Sequence, residues 1–251
     1  MSVSKAMTVR LYYKSAWYQM PPMFVDISDC PSVQAAEEMF RRVNPELELL
    51  THRSQVVGRA STTEFNEFGQ SKVVNADGTL KTVYHGTVAE FSEFRPNYRN
   101  GEQLGFGIHF SESLNLASEY AHGASARKKR GSPRIILAHL VIRNPLDAHA
   151  IVKEGSKEFV LAKQLARHRL FTQKDMLGVL MVYMQNAIDI SSPKRAARLI
   201  QEAGYDGVRY ESNVIELNGR GYTKIATAIS WIVFESDQIR TLKCNREGLT
   251  V

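Results

Sequence analysis

The chain has 251 residues, of which 43% are hydrophobic and 23% charged, which is the composition of a globular protein with one large domain or a small and a medium one. The formal net charge is +6, and the absence of any run of eighteen apolar residues argues against a membrane-spanning helix. Cys30 and Cys244 lie far apart, form no disulfide framework and lack metal-ligand spacing, so we expect a cytoplasmic location and no structural zinc.

Residues 1–58 are predicted to form a small α+β unit of their own. Alternating apolar residues predict strands at 7–13 and 23–27, and Ser32 is placed to cap a helix that ends near Arg42. Residues 47–52 predict a closing strand. A β-β-α-β unit of this size buries little surface, so we expect it to dock onto a larger body.

The rest of the chain predicts a second, larger domain over residues 62–245. Asn75-Ala-Asp-Gly78 is a strong turn signal, and strands are predicted at 82–84, 108–110, 134–142 and 225–234. A helix is predicted at 113–121, and residues 157–203 are mainly helical with a break at 191–193. Residues 211–221 (ESNVIELNGRG) are interpreted as a glycine-rich loop before the last strand.

The clearest charged feature is the basic cluster Arg127–Arg130. It is typical of a solvated surface loop, and it also fits attraction to an acidic partner or to nucleic acid. No aromatic residue interrupts the cluster and no nucleic-acid-binding motif surrounds it, so a nucleic-acid partner stays open without support.

Short motifs follow one another in the larger domain. Residues 83–87 read VYHGT, residues 105–110 read GFGIHF, and a helix ending near Tyr120 comes next; residues 204–208 (GYDGV) and 231–240 (WIVFESDQIR) follow later. In this order they resemble the ADP-ribosyltransferase domains of phage and mobile-element polyvalent proteins, a branch related to the poly-ADP-ribose polymerases. The resemblance implies an α+β fold with a split mixed β-sheet core, two sheets packed across a cleft with helices at the flanks.

The resemblance also implies that NAD is the co-substrate and names the residues that hold it. Gly86 lacks a side chain, so its backbone can approach the nicotinamide amide closely, and Thr87 follows it in the same motif. His85 is expected to hydrogen-bond the ribose on the adenosine side. The alternative for His85 is an ordinary histidine at a strand end.

The second motif supplies the expected aromatic contacts. His109 stands where the family usually has a tyrosine, and an imidazole can stack on nicotinamide, although with a smaller face. Phe110 follows it, and Tyr120 matches the second stacking residue. The helical serine that usually precedes that tyrosine is Ala117 here, so Ser118 or Ser113 is needed to replace its hydrogen bond.

The third motif departs most from the family. Its catalytic glutamate corresponds to Ser230, which can hydrogen-bond a ribose hydroxyl but carries no negative charge. Glu235 is at an odd offset on the strand and points to the other face. We expect Glu216 to supply the missing carboxylate, with Glu211 as the second choice and Gln238 as a further contributor.

These observations predict a mono-ADP-ribosyltransferase that acts on a macromolecule, with a protein as the expected acceptor. Loss of the glutamate argues against polymer formation, because polymer growth needs a base to activate the acceptor hydroxyl. The alternatives are an NAD-binding module without turnover, an NAD glycohydrolase, or an enzyme that resembles RNA 2′-phosphotransferases. By resemblance, the biological role is that of a toxin, an effector or a phage factor.

Overall fold

The computed structural model describes residues 7–14, 23–45, 47–59, 71–91, 93–98, 104–128, 132–166, 183–184, 192–218 and 221–242. The side chains of residues 124–128, 213–218 and 221–226 are not described. Residues 176–184, within the predicted helical region 157–203, lie mostly outside these ranges, and so do residues 219–220. Among the described residues, no helix is both long and apolar enough to cross a membrane.

The N-terminal unit contains three strands and one helix: β1 (Met7–Tyr13), β2 (Met23–Cys30), α1 (Val33–Val43) and β3 (Gln55–Arg59). Helix α1 begins where predicted, because the Ser32 hydroxyl accepts a hydrogen bond from the Ala35 amide. The closing strand lies later than the predicted 47–52. Within the predicted range, Leu49 forms an isolated bridge with Tyr13, and the continuous strand begins only after a 3₁₀ turn at Thr51–Arg53.

Strands and helices also make up the described part of the rest of the chain. The strands are β4 (Val83–Thr87), β5 (Asn97–Tyr98), β6 (Phe106–Ser111), β7 (Arg134–Leu140), β8 (Pro145–Asp147), β9 (Gly207–Asn218), β10 (Gly221–Val233) and β11 (Ile239–Thr241). The helices are α2 (Leu114–Lys128), α3 (Lys157–Leu165) and α4 (Pro193–Glu202). Ser156 and Ser192 cap the last two helices through their hydroxyls.

The strands form one mixed sheet in the order β3-β1-β2-β7-β4-β6-β10-β9-β8, with β11 paired to β7 and β5 to β6. Strand β2 runs parallel to β7 and β8 runs parallel to β9, while the other pairs are antiparallel. This mixed sheet with helices confirms the α+β class. The sequence predicted two separate sheets, whereas strand pairing runs continuously across one sheet. Between β4 and β6 this pairing consists of a single residue pair, Tyr84 with Ser111. We call this narrow point the junction.

Helices pack on one face of the sheet, which we call the helix face. One hydrophobic cluster joins the N-terminal unit to Tyr84 and to Ala117 and Ala121 of α2. A second cluster joins α3 and α4 to Tyr210 and Ile232. Because side chains alternate along a strand, neighbouring residues such as Trp231 and Phe110 lie on the opposite face, in a third cluster.

Two expectations from the sequence are wrong. Residues 211–218 do not form a loop, because they belong to β9, which pairs with β10 from Asn218 and Gly221 to Gly207 and Val233. Cys30, the one cysteine in the described ranges, is disulfide-bonded. The cysteines therefore do not indicate a reducing compartment.

Candidate active site

The VYHGT motif forms β4 and ends beside the junction. Beyond the pair of Tyr84 with Ser111, β4 and β6 have no further paired positions, so the two strands part there. His85 spans the opening, with its Nδ1 2.7 Å from the backbone oxygen of His109. A carbonyl oxygen can only accept, so Nδ1 of His85 carries the proton.

Aromatic rings hold His85 on the face opposite the helices. The centroids of Phe94 and Phe110 lie 5.2 and 5.4 Å from the imidazole centroid, and Phe91 lies at 6.3 Å. Burial lowers the pKa of His85, although its bond to the His109 carbonyl opposes this effect. His85 is therefore neutral at pH 7, and its Nε2 is left as a hydrogen-bond acceptor.

Gly86 lies under helix α2. A Cβ atom at this position would lie 1.8 Å from the carbonyl oxygen of Ala117, so the residue must be glycine for the helix to pack. The group that approaches Gly86 closely is therefore the backbone of helix α2. Next along the strand, the hydroxyl of Thr87 accepts a hydrogen bond from the Ala89 amide, which shapes the turn that follows.

Helix α2 places the second-motif residues around the junction. Tyr120 is half exposed, at 49% of its surface, and is the more accessible of the two predicted stacking residues. Ser118 does not replace the missing serine, because it is buried and its hydroxyl bonds the Leu114 carbonyl and the Tyr13 hydroxyl. The Ser113 hydroxyl accepts from the Leu116 amide at the start of the helix.

His109 lies on the helix face, across the sheet from His85. Its Nδ1 is 2.9 Å from the Tyr210 hydroxyl, and the two rings meet edge to face at 6.0 Å. The backbone oxygens of Leu104 and Phe106 favour the protonated ring and so raise the pKa of His109, against the larger effect of burial. Burial, reinforced by the nearby His85, lowers the pKa of His109 to about 4, so its ring is neutral at pH 7.

Ser230, which we predicted to stand at the glutamate position of the family (the glutamate slot), lies on β10 between Ser111 of β6 and Tyr210 of β9. All three residues are buried, and Ser230 is only 2% exposed. Its neighbour Trp231 points the other way and donates its indole N–H to Glu112 at 2.9 Å. The slot therefore contains a hydroxyl without charge, below the accessible surface.

The two predicted substitute carboxylates lie on β9. Glu211 is exposed and pairs with Ile229, so it points away from the face that carries Ser230 and Tyr210. Glu216 pairs with Thr223, six residues along the strand from Tyr210, which is roughly 20 Å at the usual rise of a strand. Neither residue is next to Ser230 in this arrangement.

The residues after β10 form a structural turn. Glu235 and Gln238 cap each other in the 3₁₀ turn at Ser236–Gln238. The side-chain Nε2 of Gln238 donates to the backbone oxygen of Asp206 at 2.6 Å. The Asp206 carboxylate accepts hydrogen bonds from the backbone N–H groups of Arg143 and Asn144. Gln238 is thus committed to holding the GYDGV turn against the end of the sheet.

Sequence reasoning missed Tyr210, which contacts the ring of His109 and lies opposite the glutamate slot. No local signal marks it, because it is 101 residues from His109 in the chain. Among the described residues, no three His, Cys, Asp or Glu side chains are grouped so that they could hold a metal ion.

The comparisons with known proteins agree with the order of the motifs. A family model described as ADP-ribosyltransferase in polyvalent proteins matches residues 75–248. No curated protein and no solved structure matches the chain. The matched range contains the whole junction and leaves out the N-terminal unit.

Proposed function

Because the chain belongs to the family of ADP-ribosyltransferases in polyvalent proteins, we propose that it moves a single ADP-ribose unit from NAD to a macromolecular acceptor, which we expect to be a protein. The bond between the nicotinamide nitrogen and the ribose carbon breaks, nicotinamide leaves with the electron pair, and the acceptor nucleophile bonds that carbon and loses its proton. The observation that carries the proposal is the junction, where two of the three family motifs meet at an opening in the sheet.

In this proposal His85 orients the ribose on the adenosine side. Its Nδ1–H is already used by the His109 carbonyl, which leaves Nε2 to accept from a ribose hydroxyl. The rings of Phe94 and Phe110 hold the imidazole in place, so little conformational entropy is lost on binding. Phe110 thus contributes through His85, and Gly86 and Thr87 line the same strand end.

The nicotinamide end is assigned to the helix face. Tyr120 presents a half-exposed ring that can stack on a flat ligand, and His109 presents a neutral ring whose Nδ1 is bonded to the Tyr210 hydroxyl. A ligand between β4 and β6 would have His85 on one side of the sheet and His109 on the other. The opening at the junction is the feature that supports a single molecule reaching both.

The chemistry at the slot favours transfer of one unit over polymer growth. Ser230 supplies no negative charge for the cation that develops on the ribose, and it cannot act as a base for an acceptor hydroxyl. Glu216 remains our candidate for a carboxylate supplied by the chain, on the condition that the β9–β10 hairpin bends toward the junction. A carboxylate of the acceptor is the other source.

A second function has an observation in its favour. Ser230 is buried and uncharged, which fits a domain that binds NAD without turnover. NAD hydrolysis and RNA 2′-phosphate removal are further outcomes that the same experiment separates.

The test is incubation of the purified chain with NAD labelled in the adenine ring, in the presence of host lysate. Label on protein supports the proposal, label on nucleic acid redirects it, and free ADP-ribose with nicotinamide indicates a hydrolase. Tight NAD binding with no product identifies a binding module. The variant His85→Ala should lose NAD affinity by about 1–3 kcal/mol. The control is Arg198→Ala, an exposed side chain on α4 that bonds Glu202 of the same helix. No NAD binding by the wild type would contradict the proposal.

The biological setting is part of the proposal as well. We propose action in the cytoplasm of the producing cell or of a target cell, as a toxin, effector or phage factor. Disulfides usually form in oxidising compartments, so action in a cytoplasm requires that the disulfide at Cys30 persists there.

A further inference from the structure

A row of charged side chains crosses the face of the sheet that carries His85, which is the face opposite the helices. Asp26 of β2 pairs in register with Arg10 of β1 and with Ile136 of β7, and Ile136 pairs with His85 of β4. Arg134 lies two residues before Ile136 on β7, so its side chain is on the same face, diagonal to His85. Diagonal neighbours in an antiparallel pair are roughly 7–8 Å apart.

Asp26 is shared unequally by two arginines. Both of its carboxylate oxygens accept hydrogen bonds from Arg10, at 2.7 and 2.9 Å. Arg134 approaches the same carboxylate only through Nη1, which is 3.6 Å from Oδ2, and the side chains of Arg134 and Asp26 are 12% and 14% exposed. Two positive groups therefore share one negative group in a mostly buried position.

The Nε–H group of Arg134 is left over. It is buried and has no hydrogen-bond partner among the described residues. A buried donor without a partner is destabilising, and such groups are rare in native proteins. Because Nη1 faces Asp26, the unpaired Nε belongs to a different edge of the guanidinium, formed by Nε and Nη2. That edge presents two parallel N–H groups, the geometry that binds a phosphate or a carboxylate through two hydrogen bonds.

The ring of Phe91 connects this guanidinium to the candidate site. Its centroid lies 5.4 Å from Cζ of Arg134 and 6.3 Å from the imidazole centroid of His85. Phe91 belongs to the segment between β4 and β5, outside helices and strands, so its ring can move aside more easily than a strand residue. Burial lowers the pKa of Arg134, the charges of Asp26 and of the exposed Glu90 raise it, and an arginine stays charged at pH 7.

We propose that Arg134 binds a phosphate oxygen of the NAD pyrophosphate through its Nε–Nη2 edge, and that Asp26, fixed by Arg10, is a positioning residue for it. The inference rests on the proposed function, in which His85 accepts a hydrogen bond from the ribose on the adenosine side. That ribose carries the pyrophosphate on its 5′ carbon, which brings the phosphates within reach of an arginine diagonal to His85. The N-terminal unit, which the family match leaves out, thereby contributes to NAD binding.

The first experiment compares ligands with and without phosphate. Arg134→Gln should weaken NAD binding about 10- to 100-fold in titration calorimetry, the size of lost hydrogen bonds to a charged group. Arg134→Lys keeps the charge but loses the paired N–H groups, so its loss should be smaller. Binding of adenosine, which has the ribose but no phosphate, should be unchanged in both variants by ligand-observed NMR. Arg198→Gln is the matched control, since that arginine is exposed and bonds Glu202 on its own helix.

The outcomes separate this inference from the proposed function. Wild-type NAD binding that Arg134→Gln leaves unchanged overturns the inference and leaves the proposed function standing. An equal loss of NAD and adenosine binding also overturns it, because Arg134 would then act on the fold of the site and not on a phosphate. Absence of NAD binding by the wild type contradicts the proposed function itself. Arg134→Lys gives the same comparison if Arg134→Gln does not fold.

The second experiment tests the support from the N-terminal unit. Asp26→Asn should weaken NAD binding by less than Arg134→Gln does, with adenosine binding unchanged. The double variant should bind NAD as Arg134→Gln does, because Asp26 acts through Arg134. Losses that multiply in the double variant would mean that Asp26 acts on the ligand by another route, and its role as a positioning residue would be wrong.

Discussion

The two sides of the junction are held by different forces. On the β4 side, His85 is enclosed by phenylalanine rings and Gly86 lies against the backbone of α2. On the β6, β10 and β9 side, His109 is held by a hydrogen bond to the Tyr210 hydroxyl. A packed side is destabilised by added side-chain volume. A hydrogen-bonded side is destabilised when one donor is removed or when an acceptor is protonated.

The N-terminal unit stabilises the packed side. The Tyr84 hydroxyl, one residue before His85, donates to the Asn44 side chain at 2.8 Å, and Tyr13 bonds Ser118 of α2 at 3.1 Å. Both bonds are buried, and β2 pairs with β7 in the same sheet. The unit therefore fixes the strand and the helix between which Gly86 lies, although the family match does not include it.

The largest effect is expected from Gly86→Val. The added side chain meets the Ala117 carbonyl, a backbone group that can move only if α2 moves, so we expect a loss of more than about 3 kcal/mol in the free energy of unfolding. Urea denaturation measures it. In the control Gly155→Ala, a Cβ meets no atom, and the positive φ of 81° alone should cost about 1 kcal/mol. Equal losses in the two variants would mean that α2 does not press on β4.

Acid is expected to have the next largest effect. Burial lowers the pKa of His139 to about 4, from about 6.5 in an unfolded chain. The unfolded state therefore binds the proton first, so stability is complete above pH 6.5 and falls as the pH drops toward 4, by roughly 3 kcal/mol for this residue. His109 adds a loss in the same direction.

The measurement is urea denaturation at pH 7.5, 5.5 and 4.5. His139→Leu should make the pH dependence shallower, because one buried proton acceptor is gone. A variant with the same pH slope as the wild type would show that His139 is not responsible.

Tyr13→Phe tests the contact between the N-terminal unit and α2. It removes the hydroxyl bonded to Ser118, and we expect a loss of about 1 kcal/mol in the free energy of unfolding. The matched control is Tyr12→Phe, whose hydroxyl bonds the exposed Gln55 side chain and should cost little. A similar loss in both variants would argue against a special role for the buried bond.

Tyr120→Ala should have the smallest effect on stability, within about 0.5 kcal/mol, because half of the side chain is exposed and alanine favours a helix. It should nevertheless weaken NAD binding, since the ring is assigned to stack on nicotinamide. Thermal unfolding and titration calorimetry on the same sample give both values. A destabilised variant with normal NAD affinity would show that Tyr120 serves packing.

The sequence predicted elements whose signals are local. The turn at 75–78, the start of α1 at its serine cap and the strand at β4 depend on residues within a few positions of each other. The hairpin at 207–233 was misjudged, because the glycines near its tip suggested a loop while its pairing depends on a partner strand. The prediction placed Glu216 in a glycine-rich loop, and the structure places it in strand β9.

The order of the motifs in the chain was enough by itself to determine the family, the α+β class and the residues near the opening, since those features are carried by short runs of sequence. Only the tertiary structure decided that helix α2 packs against Gly86 and leaves no room for a Cβ atom there. It also decided that His85 and His109 lie on opposite faces of the sheet, and that Tyr210 lies opposite Ser230. These arrangements join residues that are 20 to 31 positions apart in the chain: Tyr210 with Ser230, His85 with His109, and Gly86 with Ala117. They depend on strand register and helix packing, and the energy that selects these arises only when the whole sheet is assembled.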